Sequence, residues 1–271
     1  IVILYNMEKL LETKLLISYA VHINSYEDLK IIEYSLPMIA KKCKMVGITY
    51  SINSNTIDEN QIKDIFISLQ QEITNLKVYC KIKNEGYDFR KHLYTIKQFQ
   101  EEKLYDNDYI LMMNDSVIPT NSISFNAAMI NLESFINKGY EFIGFVESNQ
   151  IMRHYQSWFW CCNKSTINWI LMQIENIVYS ENKDEIIRKL EVGLSNNLIR
   201  NKKCATLYDF NVKENIFYHH HGVYIKALNN GFPFLKKNYF SKVFRKKWGL
   251  ELSNEILNYL PDSLNNIQFI T

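Results

Sequence analysis

The stretch YILMMNDS, residues 109–116, joins a continuous apolar run to three small polar residues. An unbroken run such as Tyr109 to Met113 is typical of a strand that is buried on both faces of a sheet. The run ends abruptly at Asn114, Asp115 and Ser116. Ligands of open α/β sheets bind beyond the carboxyl ends of the strands. The stretch therefore predicts a central strand of an α/β fold with a polar site at its end.

Short β-rich runs alternate with segments of helical period on both sides of this strand. That alternation predicts an α/β fold with a mixed, mostly parallel central sheet and helices on both faces. The predicted strands span 15–21, 45–52, 77–82, 109–113, 141–146, 157–162 and 205–210. The predicted helices lie near 29–39, 58–73, 89–102, 123–137, 166–179 and 184–200. Asp58 and Asp88 are expected to cap the second and third of these helices.

Length and charge limit the class of protein. A chain of 271 residues that is 47% hydrophobic can bury a sizeable core, and we expect one domain over 1–271. The 31 basic and 29 acidic residues give a formal charge of +2, which excludes a polyanion-binding surface spread over the whole molecule. We therefore predict no nucleic-acid partner and expect any basic site to be local.

The cysteines and apolar runs predict a cytoplasmic protein. Five cysteines are scattered without CxxC spacing, which favours a reducing compartment. Cys161 and Cys162 lie inside an aromatic apolar run and are expected to be buried. The N-terminal run Ile1 to Tyr5 is too short for a signal peptide or a membrane span, and no later run reaches spanning length.

The segment NEGYDFR, residues 84–90, is the first candidate site. It places Asn84, Gly86, Asp88 and Arg90 between a strand end and a helix start, where they are able to meet a nucleotide or a sugar. The alternative is an ordinary capped turn with Asp88 as the N-cap, and the residue types alone favour it.

Asp115, between Asn114 and Ser116, is the second candidate. A carboxylate at a strand end can coordinate Mg²⁺ or Mn²⁺, and such a cation bridges and neutralises two phosphates. The alternative is an Asx-turn that ends the strand.

The segment HYQSWFW, residues 154–160, mixes hydrogen-bonding and aromatic side chains. Aromatic faces such as that of Trp158 stack on pyranose rings, while His154, Gln156 and Ser157 are able to read sugar hydroxyls. The alternative is a core strand with a polar start.

Glu191 is the candidate general base. The predicted helix 184–200 has an apolar face, and Glu191 lies at the margin of that face, half exposed to water. Transfer of a sugar with inversion needs a base near the acceptor hydroxyl, and carboxylates commonly serve. The alternative is a boundary glutamate in a solvated salt bridge. Glu181 and Glu185 compete for the role farther out on the same segment.

Two further sets of polar residues come from the C-terminal part. His221 closes the run His219 to His221 and is a candidate for a metal or for a diphosphate. Three consecutive residues do not easily face one ion, so solvated histidines are the alternative. Lys236 and Lys237 are able to hold a phosphate as point charges, and a solvated pair is the alternative.

The ordered set NEGYDFRKH, LMMNDSVIP, HYQSWFW, LEVGLS and NNGFPFLKK resembles the motif series of the rhamnan synthesis protein F family. The resemblance runs over about 15–240. It implies a GT-A-like glycosyltransferase that moves a sugar, commonly L-rhamnose, from a UDP- or dTDP-linked donor to a glycan acceptor in cell-wall or capsular polysaccharide synthesis. It further implies a nucleotide-sugar half over 15–120 and an acceptor half over 121–250.

The resemblance also assigns roles to residues. Asn84, Gly86 and Asp88 lie on the donor side, Asp115 takes the place of the metal motif, and Glu191 acts as the inverting base. Sugar contacts fall to the residues His154, Gln156 and Ser157. His221 and Lys236 approach the diphosphate.

Two other classes of function are open. Asn114-Asp115-Ser116 is not a full Asp-x-Asp motif, which suits a non-catalytic carbohydrate- or nucleotide-binding domain on the same fold. The basic and aromatic stretch 236–248 suits contact with an anionic membrane surface, which is compatible with a lipid-linked glycan acceptor.

Overall fold

The computed structural model describes residues 11–53, 57–106, 108–175, 180–210, 214–219, 221–241, 245–247, 249 and 254–264. Predictions that concern the run 1–5, the helix end at 176–179 and residues 242–244 and 248 lie outside these ranges. Within the described ranges, no helix combines the length and the apolar character that crossing a bilayer requires.

Eight of the described strands form one sheet in the order β3-β2-β1-β4-β8-β6-β7, with β9 on the other edge of β6. Their bounds are β1 Leu15–Ile23, β2 Met45–Ile52, β3 Leu76–Lys81, β4 Tyr109–Asn114, β6 Phe142–Ser148, β7 His154–Tyr155, β8 Phe159–Asn163 and β9 Cys204–Tyr208. The pairs β1/β2, β1/β4, β2/β3 and β6/β9 are parallel, whereas β8 runs antiparallel to β4 and β6, and β7 antiparallel to β6. The predicted mixed, mostly parallel sheet is confirmed.

The helices cover both faces of this sheet, as predicted. Their bounds are α1 Tyr26–Ala40, α2 Glu59–Glu72, α3 Tyr87–Glu101, α4 Ser122–Asn137, α5 Lys164–Ile174, α6 Lys183–Ile186, α7 Ser195–Asn201, α8 Ile216–His219, α9 His221–Asn229 and α10 Asn254–Leu257. Buried residues of α1, α2 and α4 join one apolar cluster, and those of α3, α5, α6 and α7 join a second cluster on the opposite face.

The central strands supply side chains to both clusters. Leu111 and Met113 of β4 pack into the first cluster, and Ile110 and Met112 pack into the second. Because successive side chains of a strand point to opposite faces, only a continuous apolar run can bury both. Cys161 and Cys162 of β8 are buried in the same way, as predicted.

Of the two predicted N-cap residues, one is confirmed and the other is wrong. Asp58 caps α2, because its carboxylate accepts the Asn60 N–H at 2.9 Å. The predicted cap at Asp88 is wrong. Gly86, at a φ of 62°, precedes α3 instead, and Asp88 lies in the first turn of that helix with its carboxylate directed elsewhere.

A small antiparallel ribbon, β5 Val117–Pro119 with β10 Phe234–Lys236, fixes the C-terminal part against the sheet. The next residue, Lys237, donates its backbone N–H to the Ser116 carbonyl at 2.9 Å. The ribbon therefore brings the lysine pair at 236 and 237 beside the end of β4, from which they are more than a hundred residues distant in sequence.

The predicted helix 184–200 is interrupted by a π-helix over Ile187–Leu194, between α6 and α7. Glu191 lies inside it. Within the π-helix the Arg188 carbonyl comes so close to Gly193 that an added Cβ would lie 3.1 Å from its oxygen, which favours glycine at this position. π-helical turns are rare and occur frequently at functional sites.

The packing of Tyr155 over β6 yields a test of the fold. A Cβ added to Gly144 would lie 2.2 Å from Tyr155 Cγ, so we expect Gly144→Ala to destabilise the protein by about 1–3 kcal/mol through overpacking. Gly222→Ala is the matched control, because a Cβ there meets nothing within 4 Å and alanine favours a helix. Guanidinium unfolding measures both, and equal stability of the two variants would contradict this packing.

Candidate active site

The four parallel strands β1 to β4 end on one side of the sheet, and a polar residue follows each end. These residues are Asn24 after β1, Asn53 after β2, Asn84 after β3 and Asp115 after β4, and all four line one cavity of about 1010 Å³. The strand order reverses between β1 and β4, and open α/β sheets bind ligands at such a switch point. The topology therefore places the cavity where a ligand is expected.

Ten of the fourteen predicted site residues line this cavity: Asn84, Asp88, Asn114, Asp115, Ser116, Gln156, Ser157, Trp158, Glu191 and Lys236. The structure thus brings together segments that are far apart in sequence. The contacts of each side chain determine whether it is able to bind a ligand or react.

Asn114 connects the segment 84–90 to the end of β4. Its Nδ2 donates to Asp88 Oδ2 at 2.7 Å, and its Oδ1 accepts the Ser116 N–H at 3.1 Å and the Ser116 hydroxyl at 2.5 Å. The predicted Asx-turn is therefore present, but Asn114 forms it and Asp115 does not. The Asp115 carboxylate takes no part in this turn and makes other contacts.

Those contacts are ionic. The Lys237 ammonium lies 2.6 Å from Asp115 Oδ2 and 2.9 Å from Asp28 Oδ1. Burial alone would lower the pKa of Lys237, but the charges of Asp115 and Asp28 outweigh burial and raise that pKa above its usual value. Lys237 is therefore charged throughout the physiological range.

Lys236 differs from its neighbour in its surroundings. Its ammonium donates to the Ser116 hydroxyl at 2.9 Å and lies 5.6 Å from the centre of the Phe217 ring. Burial lowers the pKa of Lys236 to about 8, although the nearby charges of Glu191, Asp88 and Asp115 oppose the change. This lysine loses its charge only slightly above neutral pH.

A second buried lysine lies under the floor of the cavity. Lys91 Nζ donates to Asn84 Oδ1 at 2.8 Å and lies 3.7 Å from Asp88 Oδ1. Burial lowers the pKa of Lys91, and the charges of Asp88 and Asp115 oppose that effect. Because lysine offers only donors, its contact also fixes which atom of the Asn84 amide is the oxygen.

This network extends to His22. The Ser51 hydroxyl donates to Asn84 Oδ1 at 3.2 Å and lies 2.8 Å from His22 Nδ1. Since Ser51 has a single proton and gives it to Asn84, His22 Nδ1 must be the protonated nitrogen. Burial and the charge of Lys91 lower the pKa of His22, which is neutral at pH 7.

Glu191 faces the cavity from the opposite wall, on the π-helix. Its Oε2 accepts the Ser157 hydroxyl at 2.9 Å, and its Oε1 lies 3.9 Å from His154 Nε2. His154 Nδ1 is 2.7 Å from the Met152 carbonyl, so Nδ1 carries a proton and Nε2 faces the carboxylate. The Glu191 side chain is 24% exposed, which agrees with its predicted position at the margin of the apolar face.

Gln156 offers a hydrogen-bond donor to the cavity. The Trp158 indole N–H donates to Gln156 Oε1 at 2.7 Å, which fixes the orientation of the amide. Gln156 Nε2 is buried and has no hydrogen-bond partner among the described residues. A buried donor without a partner costs free energy, so a ligand oxygen at this point would be favourable.

Trp158 itself corrects the prediction of a sugar-stacking ring. The side chain is 3% exposed, and its ring packs 5.1 Å from Phe145 and 5.4 Å from Phe234, centre to centre. The ring faces are thus inside the apolar core, and the alternative of a core strand residue is correct for Trp158. Its contact with the site is made through Gln156.

Four predicted residues do not line the cavity. Gly86 donates its N–H to the Ser180 carbonyl at 2.8 Å, and Arg90 is paired with Glu85, so the proposed donor contacts of both are not supported. His154 is buried and does not line the cavity, so the predicted sugar contact of this residue is not supported. The side chain of His221 lies outside the described residues.

Several residues that line the cavity were not predicted from the sequence. They are His22, Asn24, Asn53, Tyr87, Phe89, Lys183, Asp184, Ile186, Ile187, Asn215, Asn238 and Lys247, and Lys237 was considered only as part of a lysine pair. His22, Asn24 and Asn53 were detectable, because the rule of strand ends that identified Asp115 applies equally to β1 and β2.

The predicted divalent cation does not fit these residues as they stand. Asp115 Oδ2 already contacts a lysine ammonium, so a cation at that oxygen would have to displace a positive charge. Hard cations take six or more oxygen ligands, several of them from the protein or a substrate. Within the described ranges, no group of three or more His, Cys, Asp or Glu side chains is placed to share an ion.

No protein-family model matches the chain, and no curated protein matches it. Distantly similar solved structures include the following three. The nucleoside-diphosphate-sugar pyrophosphorylase from Vibrio cholerae RC9 has a TM-score of 0.42 at 9% identity, over 71% of this chain and 90% of that one. The glycosyltransferase GlyE of Streptococcus pneumoniae TIGR4 has a TM-score of 0.45 at 12% identity, over 96% of this chain and 66% of that one. S. aureus TarS 1-349 has a TM-score of 0.41 at 12% identity, over 91% and 82%.

TM-scores below 0.5 at such identities do not assign the chain to the activity of any of these proteins. The description of the fold rests on the strand order instead. The resemblance to the rhamnan synthesis protein F family is not confirmed, because no family model matches.

The low pKa of Lys236 predicts how anion binding depends on pH. Its ammonium is charged below a pH of about 8 and neutral above it, so the affinity for pyrophosphate should fall by about tenfold as pH rises from about 7 to about 9. Lys236→Arg is the matched control, because arginine stays charged and reports the titration of pyrophosphate itself. Isothermal calorimetry measures both proteins. Identical pH profiles for the two would contradict a role for the Lys236 charge.

Proposed function

We propose that the chain is a glycosyltransferase that moves a sugar from a nucleotide diphosphate donor to a hydroxyl of a glycan acceptor. The proposal rests on one observation: a single cavity has positively charged lysines on one wall and a carboxylate on the opposite wall. Lys236 and Lys237 meet at the end of β4, and the carboxylate of Glu191 faces the same cavity from the π-helix. A leaving diphosphate needs the first of these features and an attacking hydroxyl needs the second.

On the donor side, the lysines supply positive charge where the diphosphate would lie. Four lysines line the cavity: Lys183, Lys236, Lys237 and Lys247. Positive groups that are already in place at the position of developing negative charge stabilise a transition state without reorganisation. The asparagines that follow β1, β2 and β3 supply amide groups that suit a base and a ribose.

On the acceptor side, Glu191 acts as the base. The acceptor hydroxyl gives its proton to the Glu191 carboxylate while its oxygen forms a bond to the anomeric carbon of the donor sugar. The bond from that carbon to the diphosphate oxygen breaks on the opposite side, so the configuration inverts. Ser157 holds the carboxylate in orientation, and Gln156 Nε2 supplies a donor for a sugar hydroxyl.

The finer identity of the reaction follows from the sequence resemblance. We propose L-rhamnose as the sugar, UDP or dTDP as the nucleotide, and a cell-surface or capsular polysaccharide as the product. The donor would occupy the half over 15–120 and the acceptor the half over 121–250 of a single domain. The Mn²⁺ or Mg²⁺ expected at Asp115 has no part in this mechanism, because the carboxylate is already paired with Lys237.

We also propose a cellular location and a class of acceptor from features of the sequence. The five cysteines are unpaired, which suits the cytoplasm. Contact with a membrane, and with a lipid-linked acceptor, would use the stretch 236–248. Residues 242–244 and 248 of this stretch lie outside the described ranges, whereas Lys247 lines the cavity.

A non-catalytic carbohydrate- or nucleotide-binding domain is the second candidate function. The observation that favours it is the lack of a full Asp-x-Asp motif around Asp115. The two functions differ in one measurable property, because a transferase hydrolyses its donor slowly when no acceptor is present and a binding domain does not.

A screen of UDP-, dTDP- and GDP-sugars without acceptor distinguishes the two functions. We expect one donor to raise the melting temperature and to release free sugar slowly. Lys236→Ala should weaken both responses, whereas Lys226→Ala, which removes an exposed lysine of α9, should leave them unchanged. Stabilisation without any hydrolysis would support the binding domain, and no response to any donor would refute both the transferase and a nucleotide-binding domain.

Glu191→Gln tests the base. The amide keeps the size of the side chain but cannot accept a proton, so transfer should slow by about 10²–10⁴-fold. Donor affinity should stay within about twofold, because Glu191 lies on the acceptor side. Glu185→Gln is the control, since Glu185 lies on the same segment, outside the cavity, and binds Ser180 and Lys189. Parallel loss of transfer and donor affinity in Glu191→Gln would contradict the assignment.

A further inference from the structure

Lys237 is held more firmly than a lysine that merely meets solvent. Its ammonium lies between Asp115 Oδ2 and Asp28 Oδ1, and its side chain is 14% exposed. Its backbone N–H is bound to the Ser116 carbonyl, so the main chain and the side chain are both fixed at the end of β4. The ammonium therefore has one position relative to the cavity.

The two carboxylates are fixed as well. Asp28 Oδ2 accepts the backbone N–H groups of Asn24 and Ser25, at 2.7 and 3.1 Å, as part of the capping box of α1. This leaves Oδ1 for the lysine. Asp115 is held by its backbone, whose N–H is bound to the Ala20 carbonyl at 3.2 Å. The Lys237 ammonium thus joins a carboxylate on the first turn of α1 to one at the end of β4.

Lys237 also has the means to contact an anion. A lysine ammonium has three donors, and the two carboxylates account for two of them. Because Lys237 lines the cavity, its third donor is available to an oxygen of a ligand. Two fixed carboxylates, one cation and one position open to the ligand are the features of a metal site that binds a diphosphate.

We propose that Lys237 is the resident cation of this site, so that the protein binds a diphosphate there without a divalent metal ion. The identity of the anion rests on the proposed function, whereas the exclusion of a metal by Lys237 does not. The three charged groups Asp28, Lys237 and Asp115 together carry a formal charge of −1. Without the ammonium, the same two carboxylates would carry −2 in a buried place, and a divalent cation would be attracted there.

This difference in charge suggests a direct test with Mn²⁺ alone. Electron paramagnetic resonance measures free and bound Mn²⁺ in solutions of the purified protein, after treatment with EDTA and without nucleotide. We expect wild type to leave millimolar Mn²⁺ free. Lys237→Met, which keeps the length of the side chain and removes its charge, should bind about one Mn²⁺ per chain.

Two control variants separate a specific site from a general gain of negative charge. Lys236→Met removes the neighbouring positive charge but keeps Lys237, so it should gain no Mn²⁺ site. Lys237→Met combined with Asp28→Asn removes one of the two carboxylates, so it should lose the site that Lys237→Met gains. Circular dichroism checks that each variant is folded. If Lys237→Met does not fold, Lys237→Gln replaces it.

A second arm measures the affinity for UDP, dTDP and GDP in EDTA and in Mn²⁺. For wild type the two affinities should agree within about twofold. Lys237→Met should bind about tenfold more weakly than wild type in EDTA and should recover in Mn²⁺. If wild type binds no nucleotide under either condition, the proposed function fails, while the Mn²⁺ arm still decides the role of Lys237.

Either of two results would overturn the inference. One is a stoichiometric Mn²⁺ site in wild type that disappears in Asp115→Ala, which would restore the metal predicted from the sequence. The other is the absence of a new Mn²⁺ site in the folded Lys237→Met protein, or in Lys237→Gln if that variant replaces it. This result would show that Lys237 does not occupy the position of a metal ion.

Discussion

The ion pairs of Lys237 with Asp28 and Asp115 are the interaction on which the site depends. They join three parts of the chain: the N-terminal turn of α1, the end of β4 and the residue that follows β10. Burying charges is costly, and removing one member of a buried pair typically destabilises a protein by about 3–5 kcal/mol. The cluster therefore requires all three parts in place.

Polar side chains at the ends of the parallel strands are also held in place by contacts with one another. His22, Ser51, Asn84, Lys91 and Asp88 form a continuous set of polar contacts, and Asn114 and Ser116 connect this set to Lys236. Each contact fixes the orientation of the next group, which is how a polar network in a buried place avoids unpaired donors and acceptors. The cavity thus has a charged, hydrogen-bonded wall at the ends of the parallel strands. The opposite wall depends on the π-helix that carries Glu191.

The sequence predicted the parts of the fold that depend on local pattern. Tyr109 to Met113 shows a strand buried on both faces because the run is unbroken, and Asp115 marks the site because it follows such a strand. Contacts between distant segments were not predictable in this way. Nothing near Lys237 indicates that Asp28 lies beside it, and the π-helix has the same apolar residues as an α-helix. Trp158 was misassigned because an aromatic residue that stacks on a sugar and one that packs in a core have the same local pattern.

The measurement that tests the account most directly is a crystal structure with a nucleoside diphosphate bound, grown in EDTA. The account predicts that the diphosphate lies at the end of β4, with its oxygens within hydrogen-bond distance of Lys236 Nζ and Lys237 Nζ. It further predicts that Glu191 faces the diphosphate across an open space that admits a sugar. A diphosphate bound elsewhere, for example in the shallow hollow between Phe66 and Tyr79, would contradict the central claim.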